Sequence, residues 1–373
     1  MDAYVKLRNG VIHAAYGGVL KPIFFKQDPE AVHNQVGLAG ARLGNMRITR
    51  ALTSLLFNYT NPVLRQRIHG IDFNNPIGLA AGFDKNARLT SILPHVGFGW
   101  MEVGSITARP CKGNPGKRLH RLPESKSLLV NYGLMNDGSD RIYERLHGRH
   151  FSLPVGTSLA PTNDESTMDY RDAIKDYVYS CTKLAEVGSY TTLNLSCPNT
   201  CNDQPFTDPR KLDELLSAIE KVKTRKPIFL KLSPDLSMDK LDSLLTVAKK
   251  HGVAGVICAN LTKNHSHPLV KEQNLPEKGG FSGKVVKQQS DEMIAHVFRR
   301  WGTTFTIVGC GGVFTAQDAY RKIRLGASLI QLITGMIYEG PQVISSINQG
   351  LAELLKTDRF SSISEAVGKD IGQ

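Results

Sequence analysis

Eight short apolar runs recur from Ile77 to the end of the chain: 77-IGLAAG-82, 100-WMEVGSI-106, 153-LPVGTSLA-160, 190-YTTLNLS-196, 227-PIFLKLS-233, 253-VAGVICANL-261, 305-FTIVGCGG-312 and 328-SLIQLITG-335. Runs apolar on both faces are expected of parallel strands buried beneath helices. The segments between them carry helix signals. Asp208-Pro209 offers a cap with proline at the first helical position, ahead of Leu212, Leu215, Leu216, Ile219 and Val222 at helical spacing. Met238, Leu241, Leu244, Leu245 and Ala248 make a second stripe ended by Gly252, and Thr315 with Asp318 reads as a capping box. Strand and helix alternating eight times predicts a (β/α)8 TIM barrel. The rival is an open doubly wound sheet, which usually has fewer strands and a glycine-rich first turn.

Residues 1–66 stand outside that rhythm and predict an N-terminal helical extension, with 67–373 as the barrel domain. Tyr4, Leu7, Val11, Ile12, Ala15 and Val19 form one stripe, 28-DPEAVH-33 starts afresh, and Met46 to Phe57 reads as another helix. Seven Lys and Arg against three Asp and Glu in residues 1–60 make this part cationic as well as amphipathic. It can lie on an anionic bilayer surface, cap the barrel, or serve an oligomer contact. The segment 67-RIHGIDFNN-75 reads as a short hairpin. The net charge of +12 suits an acidic partner of some kind without naming it. No apolar run reaches the length of a membrane span, and no secretory signal opens the sequence. The six cysteines fit reduced thiols, and no zinc spacing is present, so no metal site is expected.

In such barrels the chemistry sits at the C-terminal ends of the strands. The first strand ends in 81-AGFDKN-86, which puts Lys85 over the mouth. The fourth ends in Asn194, Ser196, Cys197 and Asn199, the fifth in Lys231 and the sixth in Asn260 and Thr262. Gly309, Gly311 and Gly312 after strand seven, with 279-GGFSGK-284 after strand six, form glycine-rich loops whose backbone N–H groups suit a phosphate. A phosphate handle beside strand-end lysines suits flavin mononucleotide (FMN). Asn131, Asn194, Asn199 and Asn260 can converge on a planar, amide-rich substrate. Cys197 can remove a proton from carbon if nearby cations favour its thiolate, and the plainer alternative is an inert packed cysteine.

The stretches 75-NPIGLAAGFDKN-86, 98-FGWMEVGSITARPCKGNPGKR-118, 120-HRLPE-124, 194-NLSCPNT-200, 229-FLKLSPDL-236, 279-GGFSGK-284, 309-GCGGV-313 and 324-RLGASLIQL-332 together resemble dihydroorotate dehydrogenase over nearly the whole chain. The extension with 28-DPEAVH-33 resembles the membrane-associating domain of the class 2, quinone-linked branch. The resemblance implies FMN-dependent oxidation of dihydroorotate to orotate in pyrimidine biosynthesis, with electrons passed to a membrane quinone. Cys197 would be the base, and Lys85, Asn131, Asn194, Asn199 and Asn260 would hold substrate. Ala81, Gly82, Ser105, Asn194, Lys231, Gly283, Gly311, Gly312 and Thr334 would line the FMN site, and His33 with Arg121 the quinone access. The implied place is the cytoplasmic face of a bacterial cell membrane, peripherally bound, with no nucleic acid as partner.

Several residues depart from the class 2 pattern. Cys197 stands where that branch has serine, as in class 1. Ser158 stands for an FMN-contacting asparagine, Ile333 for a tyrosine and Ala259 for a threonine, and all three positions are still expected at the FMN site. The loop 131-NYGLMNDG-138 is nearer class 1, and 201-CNDQPF-206 replaces a glycine-containing loop. Two alternatives remain open: another FMN barrel, such as a tRNA dihydrouridine synthase, and a flavin-binding barrel that has lost catalysis.

Overall fold

The computed structural model describes residues 2–201 and 204–372. All eight predicted runs form strands: β1 Ile77–Leu79, β2 Trp100–Ile106, β3 Val155–Leu159, β4 Tyr190–Asn194, β5 Ile228–Lys231, β6 Gly255–Cys258, β7 Thr306–Cys310 and β8 Leu329–Leu332. They pair in parallel and in sequence order into a closed barrel, with β8 hydrogen-bonded back to β1 through Ile330↔Ile77. Closure leaves no edge to protect. The rival open sheet is thereby excluded.

Aromatic side chains fill the N-terminal end of the barrel. Trp100, Tyr190 and Phe229 point inward from β2, β4 and β5 and pack with Phe73 of the hairpin Gln66–Ile68/Ile71–Phe73, the predicted one. Their room comes from glycines on neighbouring strands: a Cβ on Gly78 would lie 2.2 Å from the Trp100 ring, and one on Gly156 2.1 Å from that of Tyr190. With the bottom plugged, ligand access is left to the C-terminal mouth.

The outer helices begin where their caps predict. The Asp208 carboxylate accepts from the backbone N–H groups of Arg210 and Lys211 at 2.8 and 3.4 Å, and Thr315 and Asp318 close a full capping box. One element was not anticipated. Leu119–Leu122, Ser127–Val130 and Gly280–Phe281 form a three-stranded antiparallel sheet above the barrel mouth, so part of the predicted glycine loop 279–284 is a strand.

Ahead of the barrel lie α1 Asp2–Ala15, α2 Lys21–Lys26, α3 Pro29–Gly44 and α4 Arg47–Phe57, with a π-helical turn, Tyr16–Leu20, between the first two. Asp28 starts α3, accepting from Glu30 N at 3.0 Å and Ala31 N at 2.9 Å, with Pro29 at the first position. The extension is fastened to the barrel domain. Arg8 and Asn9 both donate to Ser345 Oγ, at 2.7 and 3.1 Å, and Tyr16 OH donates to the Ile337 carbonyl at 2.6 Å. Its apolar stripe faces outward: Leu7 is 70% and Ile48 69% exposed, with Tyr4, Val11, Val19, Leu52 and Leu55 also exposed. No helix among the described residues is long and apolar enough to cross a membrane.

Candidate active site and its access tunnel

Two cavities meet at the barrel mouth. The first, of about 170 Å³, is walled by Lys85, Tyr132, Asn194, Cys197, Asn199 and Asn260, with Ala81, Gly82 and Ser105 also lining it. The second, of about 90 Å³, is walled by Lys231, Ala259, Gly283, Gly311, Gly312 and Gln331. Ala81, Asn260, Leu261, Ser282, Ile333 and Thr334 border both, so the two form one trough.

The glycines of the second cavity cannot be replaced by larger residues. Gly312 has φ +70°, and a Cβ there would meet Lys287 Cβ at 2.4 Å; Gly283 has φ +78°, and its Cβ would meet the Lys126 carbonyl at 2.5 Å. Beside them Gln331, the β8 residue paired with Cys310, is fully buried with both amide atoms lacking a partner among the described residues. Unpaired buried amides are costly and mark a place where a polar ligand or water completes the structure. The ammonium of Lys231, glycine turns and an unpaired amide at the end of a trough fit a phosphorylated flavin.

A relay of hydrogen bonds orders the substrate wall. Ser105 Oγ and Ser158 Oγ are 2.9 Å apart, and Asn194 Nδ2 donates to Ser105 Oγ at 2.9 Å. Asn260 Nδ2 donates to Asn194 Oδ1 at 3.0 Å, and Tyr177 OH holds the Asn194 carbonyl at 2.8 Å. Asn199 Nδ2 donates to the Val130 carbonyl at 2.9 Å, while its Oδ1 is buried without a partner among the described residues. That oxygen is the acceptor left for a ligand.

Two expected residues lie elsewhere. Asn131 is not in the cavity wall: Asn114 Nδ2 donates to its Oδ1 at 2.8 Å and also reaches the Asn199 carbonyl, so Asn131 stands one step behind the asparagines that line the site. Ser158 is wholly buried behind Ser105 and borders neither cavity. In 201-CNDQPF-206, Asn202 and Asp203 lie outside the described residues, and Pro205–Thr207 forms a 3-10 turn.

Cys197 is in the wall, and the condition set for its thiolate, that nearby cations favour it, is opposed by burial. Burial pushes its thiol up to about 11; the Asn199 backbone N–H and the charges of Lys263 and Lys231 pull the other way without offsetting it. At neutral pH the group is a thiol.

Lys85 is set by the turn after β1. Asp84 accepts from the N–H groups of Arg88 and Leu89, both at 2.8 Å, and this folds the loop so that the next residue points over the mouth. Lys85 Nζ lies 3.8 Å from the centroid of the Tyr132 ring and 3.3 Å from His33 Nε2. Burial pulls its ammonium down to about 8; Glu30 and Asp84 raise it and Arg118 lowers it further. Tyr132, Asn114 and Gln331 were not anticipated, since an aromatic or amide in a loop carries no periodic signal.

A third cavity, of about 380 Å³ and mostly apolar, runs between the extension and the barrel domain. Its walls include Phe24, Val36, Leu43, Leu93 and Met336, and its polar members include His33 and Arg121. Arg121 donates to the Gln27 carbonyl at 2.9 Å, and its guanidinium lies 4.8 Å from the Phe25 ring centroid. His33, Phe83, Leu119, Leu128 and Ile337 border both this tunnel and the substrate cavity. His33 and Arg121 both line this cavity.

A closed parallel barrel with a polar trough at its C-terminal mouth and an apolar tunnel to that trough defines a (β/α)8-barrel enzyme with two access routes. The chain belongs to the dihydroorotate dehydrogenase family, whose model matches residues 63–355. "Dihydroorotate dehydrogenase (quinone)" of Gloeobacter violaceus is 36% identical over 349 residues, covering 93% of this chain and 97% of that protein. The protein of the same name from Natronomonas pharaonis is 37% identical over 356 residues, covering 95% and 99%. A crystal structure of DHODH from Eimeria tenella in complex with ferulenol aligns with a TM-score of 0.82 at 27% identity, over 92% of this chain and 96% of that one. The family is generally flavin-dependent, and its match places the chain there and not with another flavin barrel.

Proposed function

We propose that the protein oxidises dihydroorotate to orotate with FMN and passes the electrons to a membrane quinone. The observation that carries this reading is the meeting of the polar trough with the apolar tunnel at His33, Phe83 and Ile337. Two half-reactions with chemically opposite substrates need two such routes.

FMN, held by Lys231, Gly283, Gly311, Gly312 and Thr334, would supply the hydride acceptor. Lys85 attracts the substrate carboxylate, and Asn194, Asn199 and Asn260 match the donor and acceptor edges of its ring amides. Cys197 Sγ takes a proton from the carbon next to the one that loses hydride. With its thiol so high, the thiolate is a minor form at neutral pH, and the rate rises with its population. The walls exclude water from that step. Asn131 acts through Asn114, supporting the loop that carries Asn199.

Residues 1–66 serve as the quinone-access and membrane-associating extension. Exposed Ile48, Leu52, Leu55 and Leu56 on α4, and Leu7 and Val11 on α1, support a peripheral seat on an anionic bilayer. We place it on the cytoplasmic face of a bacterial membrane.

Anaerobic addition of dihydroorotate to the purified yellow protein tests this. Loss of the flavin colour is expected. A yellow protein that does not bleach would instead be a flavin-binding barrel without this catalysis.

A further inference from the structure

His33 borders both the tunnel and the substrate cavity, and its hydrogen bonding belongs to the substrate side. Nε2 lies 3.3 Å from Lys85 Nζ. An ammonium only donates, so Nε2 must accept and the ring proton must sit on Nδ1. A backbone hydrogen bond to Phe83 favours that proton, and the Phe83 ring meets the imidazole edge-on at 5.0 Å between centroids. Burial, and then the neighbouring Lys85 charge, push His33 down to about 3, so the imidazole is neutral throughout the working range. The Nε2 lone pair is therefore taken by Lys85 from within the protein.

The same helix supplies a second contact to the substrate side. Glu30, one turn before His33 on α3, forms an ion pair with Arg118, whose Nε donates to Glu30 Oε2 at 3.1 Å. The Arg118 guanidinium lies 5.5 Å from the Tyr132 ring centroid, and the Lys85 ammonium lies 3.8 Å from that same centroid. Lys85 is thus surrounded by Tyr132, by His33 and Glu30 from the extension, by Asp84 from its own turn and by Arg118 from the loop before the first strand of the upper sheet. The residue is 8% exposed, and a buried flexible lysine needs fixed partners to hold one direction.

We infer that His33 is a positioning residue for Lys85, so that helix α3 of the extension completes the substrate half of the site as well as walling the tunnel. The inference rests on the reading of the trough as an orotate site. It deepens that reading, because an extension that served only quinone and membrane would leave orotate binding untouched when altered. Here the accepting lone pair of His33 aims the ammonium that meets the substrate carboxylate.

Orotate titration of the oxidised holoenzyme, followed by the change in flavin absorbance with no quinone present, tests it. His33→Ala should retain flavin and weaken orotate binding by about tenfold, the scale of one lost hydrogen bond to a charged group. His33→Gln, which keeps an acceptor, should recover most of the loss, whereas His33→Phe, which keeps the ring against Phe83, should not. In the native protein orotate affinity should fall as pH rises through about 8, where Lys85 loses its charge. In His33→Ala that midpoint should move upward, because water replaces the ring beside the ammonium. If His33→Ala loses its flavin, Gln binding orotate better than Phe still supports the inference. Affinities of Gln and Phe within about twofold of each other and of the native protein would overturn it. Native holoenzyme that binds no orotate would sink the orotate reading itself, and the inference with it.

Discussion

Asn194 and Lys231 face one another as the last paired residues of β4 and β5. From that single rung, Asn194 turns to the substrate wall, where it donates to Ser105 at 2.9 Å, and Lys231 turns to the glycine-lined end of the trough. One step of strand register therefore sets the spacing between the two ends of the trough. Lys231→Met keeps the length of the side chain and removes its charge. It should lower the rate of flavin reduction by dihydroorotate by about 10²-fold, in the range of a lost electrostatic stabiliser. Anaerobic stopped-flow absorbance measures this.

The pH dependence follows from two groups whose order is inverted. In the proposed roles Cys197 loses a proton, and burial holds it near 11, while Lys85 keeps one, and burial brings it down to about 8. The reactive form is a thiolate beside an ammonium, so kcat/KM for dihydroorotate should rise above neutrality, peak between about 8 and 11, and then fall. Cys197→Ser should lose about 10²-fold or more at neutral pH, as a hydroxyl is the weaker base in this setting. A flat profile between pH 6 and 10 would contradict this assignment.

The tunnel makes a separate prediction. Val36→Trp adds bulk to a cavity of about 380 Å³ on the α3 wall. Reduction of the flavin by dihydroorotate should persist, whereas its reoxidation by a short-chain ubiquinone should slow about tenfold or more, because access and not chemistry is obstructed. The two half-reactions, timed separately, show which one moved.

The exposed face of α4 gives a fourth. Leu52 and Leu55 are 54% and 59% exposed. Replacing both with serine should weaken sedimentation with anionic vesicles by about tenfold or more, since each buried leucine contributes on the order of 1.5–3 kcal/mol. Raising salt should weaken binding of both forms through the cationic surface.

The barrel was legible in the sequence because each strand is buried on both faces and so reads as an unbroken apolar run. The caps were legible for a similar reason: Asp28-Pro29, Asp208-Pro209 and Thr315 with Asp318 satisfy backbone N–H groups locally. At the site, strand-end position alone found Lys85, Asn194, Cys197, Lys231 and Asn260, all of which line the trough. Asn131 shows the limit. It follows the strand Ser127–Val130 of a sheet the sequence did not announce, and that sheet's register turns its side chain to Asn114. The state of Cys197 stayed open in the sequence because desolvation depends on what packs around a thiol, which a count of nearby lysines omits. Tyr132 and His33 meet Lys85 across long sequence separations, and no local pattern records such meetings.

The acceptor is the sharpest point of decision, since Cys197 resembles class 1 at its position while the relatives that match over most of the chain bear the quinone name. Protein reduced anaerobically with dihydroorotate should be mixed in parallel with a short-chain ubiquinone and with fumarate, and the return of flavin absorbance followed. Rapid recovery with the quinone and little with fumarate is expected. Recovery with fumarate but not with quinone would contradict it.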